Sequence, residues 1–295
     1  MCSEDFKVTI LVTGANGQLA NEIRTISRHY SSNKFLFTTK EDLPIENAEA
    51  VELFFEKNRI DYCINCAAYT AVDKAESEKE KAFLMNGNAV GELANICVIH
   101  KAKLIHISTD YVYDGGLNTP LREENAAGPV NIYGSSKLKG EELALSNNPS
   151  TLIIRTSWVY SSFGNNFVKT MLRLFKEKSE INVINDQLGS PTYAADLAGV
   201  IMEFVKKMKQ GNSFSGIVNY CNDGVTTWFD FAEEIKSMVR SNCKINPIPT
   251  SCYKTAAKRP LYSVLDTSKI KNLLHLDIPT WKESLEKCIK LLNVV

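Results

Sequence analysis

Apolar residues recur along this chain in two alternating rhythms. Short β-branched runs at 8–12 (VTILV), 35–39, 61–68, 104–107, 152–155 and 217–220 read as strands. Between them the apolar spacing is helical. Leu19, Ile23 and Ile26 mark the first helix, and others are expected over 48–58, 80–100, around Tyr133 and Lys137, and over 193–208, ending at Gly211. Strands alternating with helices of this kind predict an α/β fold, a doubly wound parallel sheet with helices on both faces. From about Trp158 the rhythm loosens. A helix over 166–177, a strand over 181–184 and the loop DQLGSPTY interrupt it, and 226–295 is helical and irregular, with turn signals at Pro247, Pro249, Pro260 and Pro279. The expected organisation is a dinucleotide-binding domain over 1–157, to which 192–222 returns. A smaller C-terminal substrate-binding lobe is expected from 158–191 and 223–295. Substrate would occupy the cleft outside the strand ends.

Two stretches add chemistry. The first strand runs into TGANGQLANEIRTI, a strand, glycine turn and helix of Rossmann type. Gly14 and Gly17 would let the backbone approach a pyrophosphate, and the helix N-terminus offers free N–H groups and a positive dipole end. Ala20 takes the place of a third glycine and is small enough for close helix–strand packing. The second stretch is HISTDYVYDG followed by NIYGSSK. It sets Thr109 at a strand end and puts Tyr133 and Lys137 four apart, on one helix face. A hydroxyl beside a Tyr–Lys pair can protonate a carbonyl oxygen while hydride arrives from elsewhere. A nearby ammonium favours the phenolate and would lower a phenol pKa of ordinarily about 10. A second Y-x-x-x-K, Tyr30 to Lys34, has no strand-end hydroxyl before it and reads as chance.

Charge removes several classes. Across 295 residues, 34 basic side chains balance 34 acidic ones, so nothing points to nucleic acid or a membrane surface. No apolar run is read as reaching the ~20 residues of a span. The opening MCSEDFK lacks the cationic start of a signal peptide, which sets the expectation of a cytoplasmic protein. Cysteines at 2, 63, 66, 97, 221, 243, 252 and 288 show no disulfide framework, and Cys63 and Cys66 fall on opposite faces of a strand. His29, His100, His106 and His275 have no metal-ligand spacing and receive no role; no metal site is assigned. The second strand ends Thr38, Thr39, Lys40, with two hydroxyls, a cation and no acid at the tip. NADPH should therefore be accepted at least as well as NADH, with Lys40 near the ribose and a bias of roughly tenfold or less.

Taken together, GANGQL, NCAAYTAVDKAE, HISTDYVYDG, IYGSSKLKGE, RTSWVY, NNFVKTMLRL, DQLGSPTYAADLA and KRPLYSVLD resemble the extended short-chain dehydrogenase/reductases over nearly the whole chain. Within them the chain looks like the branch that reduces dTDP-4-dehydrorhamnose to dTDP-L-rhamnose. That resemblance implies a dTDP-sugar substrate and Thr109, Tyr133 and Lys137 as catalytic residues, with Tyr133 the proton donor. It places Gly14, Asn16, Gly17, Gln18 and Leu19 at the pyrophosphate, Ala67, Ala68 and Tyr69 along the adenosine and ribose, and Asn86 near the nicotinamide. Val72, Asp110, Tyr111 and Trp158 would line the sugar pocket, and Asn166, Gln187 and Arg259 would contact the nucleotide diphosphate. Pro44 stands where the family reads an acid that helps hold adenine, so adenine would rest on backbone and apolar contact. Some members dimerise through magnesium held by glutamates. A homodimer is compatible with the resemblance, and no spacing here assigns the ion. Two other readings share the motifs. A nucleotide-sugar dehydratase or epimerase is one, but dehydratases follow the strand-end Thr with Asp-Glu, and here Asp110-Tyr111 follows. The other is a non-catalytic regulatory subunit like that of methionine adenosyltransferase, which would have no need of a sugar pocket.

Overall fold

The computed structural model describes residues 7–292; Cys2 and the opening six residues on which the leader reading rested lie outside them. The chain lays down β1 (Thr9–Thr13), α1 (Gln18–Ile26), β2 (Lys34–Thr38), α2 (Ala48–Lys57), β3 (Tyr62–Asn65), α3 (Val72–Ala75), α4 (Lys79–Phe83), α5 (Ala89–Ile99), β4 (Lys103–Thr109), α6 (Ile132–Asn147) and β5 (Leu152–Thr156). There follow β6 (Val159–Tyr160), α7 (Phe167–Glu177), β7 (Glu180–Ile184), β8 (Leu188–Gly189), β9 (Thr192–Tyr193) and α8 (Ala194–Lys209). The last are β10 (Gly216–Asn219), β11 (Thr226–Thr227), α9 (Trp228–Met238), β12 (Lys244–Ile248), α10 (Ser268–Leu274) and α11 (Trp281–Leu291).

Six strands pair in the order β10-β5-β4-β3-β1-β2, every neighbour parallel. The expected Rossmann-type sheet is therefore present, and its connections reverse direction between β1 and β3, where a crevice opens at the strand ends. Side chains alternate across the strands and serve two cores. Ile10, Val12, Ile64 and Ile154 pack under Ile23 of α1 and Leu197, Ile201 and Phe204 of α8. Leu11, Cys63, Leu104 and Ile153 meet Val51, Phe55, Leu93 and Ala144 from α2, α5 and α6. A separate cluster, including Val168, Ile181, Phe231, Ile245 and Leu285, is the core of the C-terminal lobe.

Five expectations need correction. The strand expected over 61–68 stops at Asn65, because the next free N–H, on Ala67, turns to Asn65 Oδ1 at 3.2 Å rather than to the ladder. The helix expected over 80–100 starts at Lys79 and contains a π-helical turn, Leu84–Asn88. By length and composition this 21-residue run, Lys79–Ile99, could cross a membrane, contrary to the sequence reading; more than half of its most apolar stretch is buried, as in a core helix. Residues 223–295 are not all lobe either, since Ile270, Leu274 and Ile278 join the core beside α1 and α8. Tyr30 and Lys34 share no helix: Tyr30 follows a 3-10 turn and Lys34 opens β2.

Candidate active site

The ends of β1, β3, β4 and β5 converge on a cavity of about 570 Å³. Its floor is the β1–α1 turn. Gly14 has φ +67°, and a Cβ there would meet Ala67 N at 2.7 Å, so only glycine lets the turn pass so close to the β3 loop. Gly17 caps α1 without any side-chain bond, which leaves its first N–H groups open to a ligand. Asn16, Gly17, Gln18 and Leu19 line the cavity from this side, Ala68 from the loop after β3 and Val72 from the start of α3.

The opposite wall carries Ser108, Thr109, Asp110 and Tyr111 at the end of β4, with Tyr133 and Lys137 from α6. Asn131 caps α6 by accepting from Gly134 N at 2.7 Å, which fixes where Tyr133 enters. The Tyr133 ring meets Tyr111 edge-on at 5.8 Å. Burial pushes its phenol up to about 12, against the pull of the Thr109 hydroxyl and with the added push of Asp110. The sequence reading had Lys137 lowering this value. Instead Lys137 Nζ donates to Ile107 O at 2.6 Å and lies 3.2 Å from His106 Nε2, and burial brings the Lys137 ammonium down to about 8. Thr109 Oγ1 donates to Asp110 Oδ1 at 3.0 Å. Asp110 is 3% exposed, burial raises its carboxyl to about 7, and its Oδ2, like Ser108 Oγ, has no hydrogen-bond partner among the described residues.

A second cavity of about 530 Å³ lies in the lobe, lined among others by Phe167, Gln187, Tyr253 and Arg259. Trp228 lines both cavities, and Trp158 lies flat on it, ring centroids 3.6 Å apart and planes 9° apart. Trp158 holds φ +47°, a left-handed value uncommon for a tryptophan.

Comparison with known proteins decides between the readings of this site. Residues 8–294 match the family described as RmlD substrate binding domain. A dTDP-4-dehydrorhamnose reductase of Aggregatibacter actinomycetemcomitans is 36% identical over 284 residues, covering 94% of this chain and 97% of that one. The crystal structure of a dTDP-4-dehydrorhamnose reductase from Clostridium acetobutylicum superposes with a TM-score of 0.92 at 39% identity, covering 97% of this chain and all of its own (100%). That of the Bacillus anthracis enzyme, in complex with NADP, gives 0.91 at 36%, covering 97% and 99%. This chain belongs to the dTDP-4-dehydrorhamnose reductase family.

Of the residues that sequence reading suggested, several stand away from the main cavity, each for a visible reason. Lys40 is paired with Glu46 at 2.7 Å, and the neighbouring Thr39 is tied to Asp42. Asn86 sits in the π-helical turn with its amide fully engaged, accepting from Tyr69 N and donating to Tyr69 O and Ser136 Oγ. It clamps the loop carrying Ala67, Ala68 and Tyr69 onto α6 and has no donor left for a nicotinamide. Asn166 caps α7, and its Nδ2 donates to Gln18 Oε1 at 2.8 Å and Ser161 O at 2.7 Å, so it fastens the lobe to α1 instead of facing a diphosphate. Gln187 and Arg259 line the second cavity, where Arg259 is gripped by both oxygens of Asp73 at 3.1 and 2.7 Å. Sequence reading missed Trp228, Asp73 and His106. Trp228 and Asp73 gave only the signal of an aromatic and an acid in loosely patterned stretches, and His106 that of a polar residue inside an apolar strand. Among the described residues no group of three or more His, Cys, Asp or Glu could hold a metal ion.

Proposed function

We propose that this protein reduces the C4 keto group of dTDP-4-dehydrorhamnose to give dTDP-L-rhamnose, using NADPH or NADH. The observation that carries the reading is one cavity with a glycine turn and open helix N-terminus on one wall and Thr109, Tyr133 and Lys137 on the other. The residues fit a dinucleotide: Gly14 leaves the close approach a Cβ would fill, and uncapped N–H groups suit a pyrophosphate. A bound nicotinamide supplies the hydride. The chain itself supplies the proton. With its phenol held up at about 12, Tyr133 is protonated at neutral pH and can donate to the C4 oxygen as that oxygen gains charge. The Thr109 hydroxyl would orient the same oxygen by turning to it from Asp110 Oδ1, and the unpartnered Asp110 Oδ2 and Ser108 Oγ are suited to sugar hydroxyls. The nucleotide would extend past Trp158 and Trp228 into the second cavity, where Arg259, pre-set by Asp73, offers its cation to phosphate. Because Lys40 is engaged by Glu46, NADPH and NADH should both serve.

The test is oxidation of NADPH or NADH in the presence of dTDP-4-dehydrorhamnose. Tyr133→Phe should bind cofactor normally and lose roughly 10²–10⁴-fold in kcat, the usual worth of a positioned acid. Tyr30→Phe should leave the rate unchanged. A flat trace with folded wild-type protein overturns the proposal.

A further inference from the structure

Behind the cavity wall a file of buried polar groups crosses the sheet, and none of it is explained by binding substrate or cofactor. Thr13 Oγ1 donates to Asn65 Oδ1 at 2.6 Å and Ala67 N donates to the same oxygen at 3.2 Å, which fixes the orientation of the Asn65 amide. Asn65 Nδ2 therefore faces His106 Nδ1, 3.1 Å away. An amide nitrogen only donates, so Nδ1 must offer a lone pair and the ring proton sits on Nε2. His106 is 0% exposed, and burial and the neighbouring Lys137 hold its imidazole neutral. Its Nε2–H points at Lys137 Nζ, 3.2 Å away.

An ammonium has three donors and no acceptor, so it cannot answer that N–H; a neutral amine can accept it and still donate to Ile107 O. We propose that His106 is a positioning residue for Lys137: locked by Asn65 as the Nε2–H tautomer, it docks the Lys137 amine and turns the ammonium away toward the cavity. The other groups facing Lys137 oppose or leave unchanged this bias. Glu141, one turn along α6, favours the ammonium but is held by Arg155 at 2.6 Å. Cys66 also favours the ammonium, though burial keeps its own thiol neutral, and Tyr133 is a phenol. Burial acts in the same direction as His106, consistent with the Lys137 value near 8. Lys137 thus changes place as well as charge in the mildly alkaline range. Its cationic, cavity-facing form prevails below it.

The inference rests on the reductase reading only for the rate experiment, so a second measurement is made without substrate. In ¹⁵N-histidine spectra of the wild-type protein, His106 should show the neutral Nε2–H pattern from pH 6 to 9, and the ¹³Cε signal of Lys137 should titrate near 8. His106→Asn keeps an acceptor for Asn65 but removes the N–H aimed at Lys137, and His106→Gln offers the ammonium a carbonyl instead. In both, the Lys137 titration should move up about tenfold in proton affinity. The alkaline limb of kcat/KM should move with it. A merely structural histidine would lower the melting temperature or kcat and leave both profiles where they were. An Nδ1–H tautomer, a His106 that titrates near neutrality, or an unmoved Lys137 titration in both variants overturns the proposal, whether or not the reductase assay succeeds.

Discussion

At Asp110 burial and charge pull against each other. Its folded pKa of about 7 lies above the ordinary carboxylate value, so the fold favours the protonated acid. Stability from this group is complete below about pH 4, where the unfolded chain is also protonated, and is lost as pH rises through 7. Asp110→Asn does not titrate, so in the ligand-free protein its melting temperature should gain on wild type by a few degrees between pH 4 and pH 8. A gap that stays constant with pH would mean a solvated or ionised Asp110. Lys40 makes a second case: 59% exposed and paired with Glu46, it has at most a surface pair's worth of influence on a 2′-phosphate, ~0–1 kcal/mol. Lys40→Ala should change the ratio of kcat/KM for NADPH and NADH by no more than about fivefold, and a larger drop would show that the pair opens on cofactor binding. At this scale the sequence was informative where position follows from spacing. Tyr133 and Lys137, four apart on α6, and the strand-end Thr109 line one cavity, as their spacing suggested. His106 gives no such signal, because its meaning depends on Asn65, 41 residues away, and on which atom of that amide faces it.

The elements that shape the site do so through close backbone approach. A Cβ at Gly134 would lie 2.1 Å from Tyr111 O, and one at Gly140 2.0 Å from Asn86 O, so α6 can press against both the β4 turn and the π-helical turn. Gly189 of β8 plays the same part for Trp158: a Cβ there would meet its indole Cε2 and Cζ2 at 2.6 Å. Gly189 itself carries no unusual φ, so alanine should be accepted by the backbone and resisted only by the indole. Gly189→Ala is expected to push Trp158 off Trp228 and raise KM for the sugar nucleotide on the order of tenfold while KM for the cofactor stays put. An unchanged sugar KM would remove Trp158 from the binding wall. The parallel sheet and its helices were legible because apolar period and length agree. The early end of β3 and the π-helical turn were not: Thr13 of β1 holds the Asn65 amide that takes the Ala67 N–H, and Tyr69 engages Asn86, so partners from other elements contribute beyond local propensity.

Over the whole molecule, the main core and the lobe core are woven from one thread. Residues pass from the first cluster to the second after Val159, back after Tyr193, out again after Tyr220, back between Ile245 and Ile270, and out once more after Ile278, five passages in all. The latches Gln18–Asn166 and Ser161–Glu22 add side-chain ties between α1 and the segment entering the lobe. Heat should therefore unfold both cores in one transition, with calorimetric and van't Hoff enthalpies equal; two resolved peaks would show that the lobe melts alone. The sequence suggested two territories with one return, because 226–295 looks uniform in composition. The apolar spacing of Ile270 and Leu274 marks a helix without saying which core it joins. The same weave has a consequence for descent. Among the described residues no single cut separates the two cores, so a change of sugar is expected to come by rewriting loops in place rather than by exchanging a lobe whole.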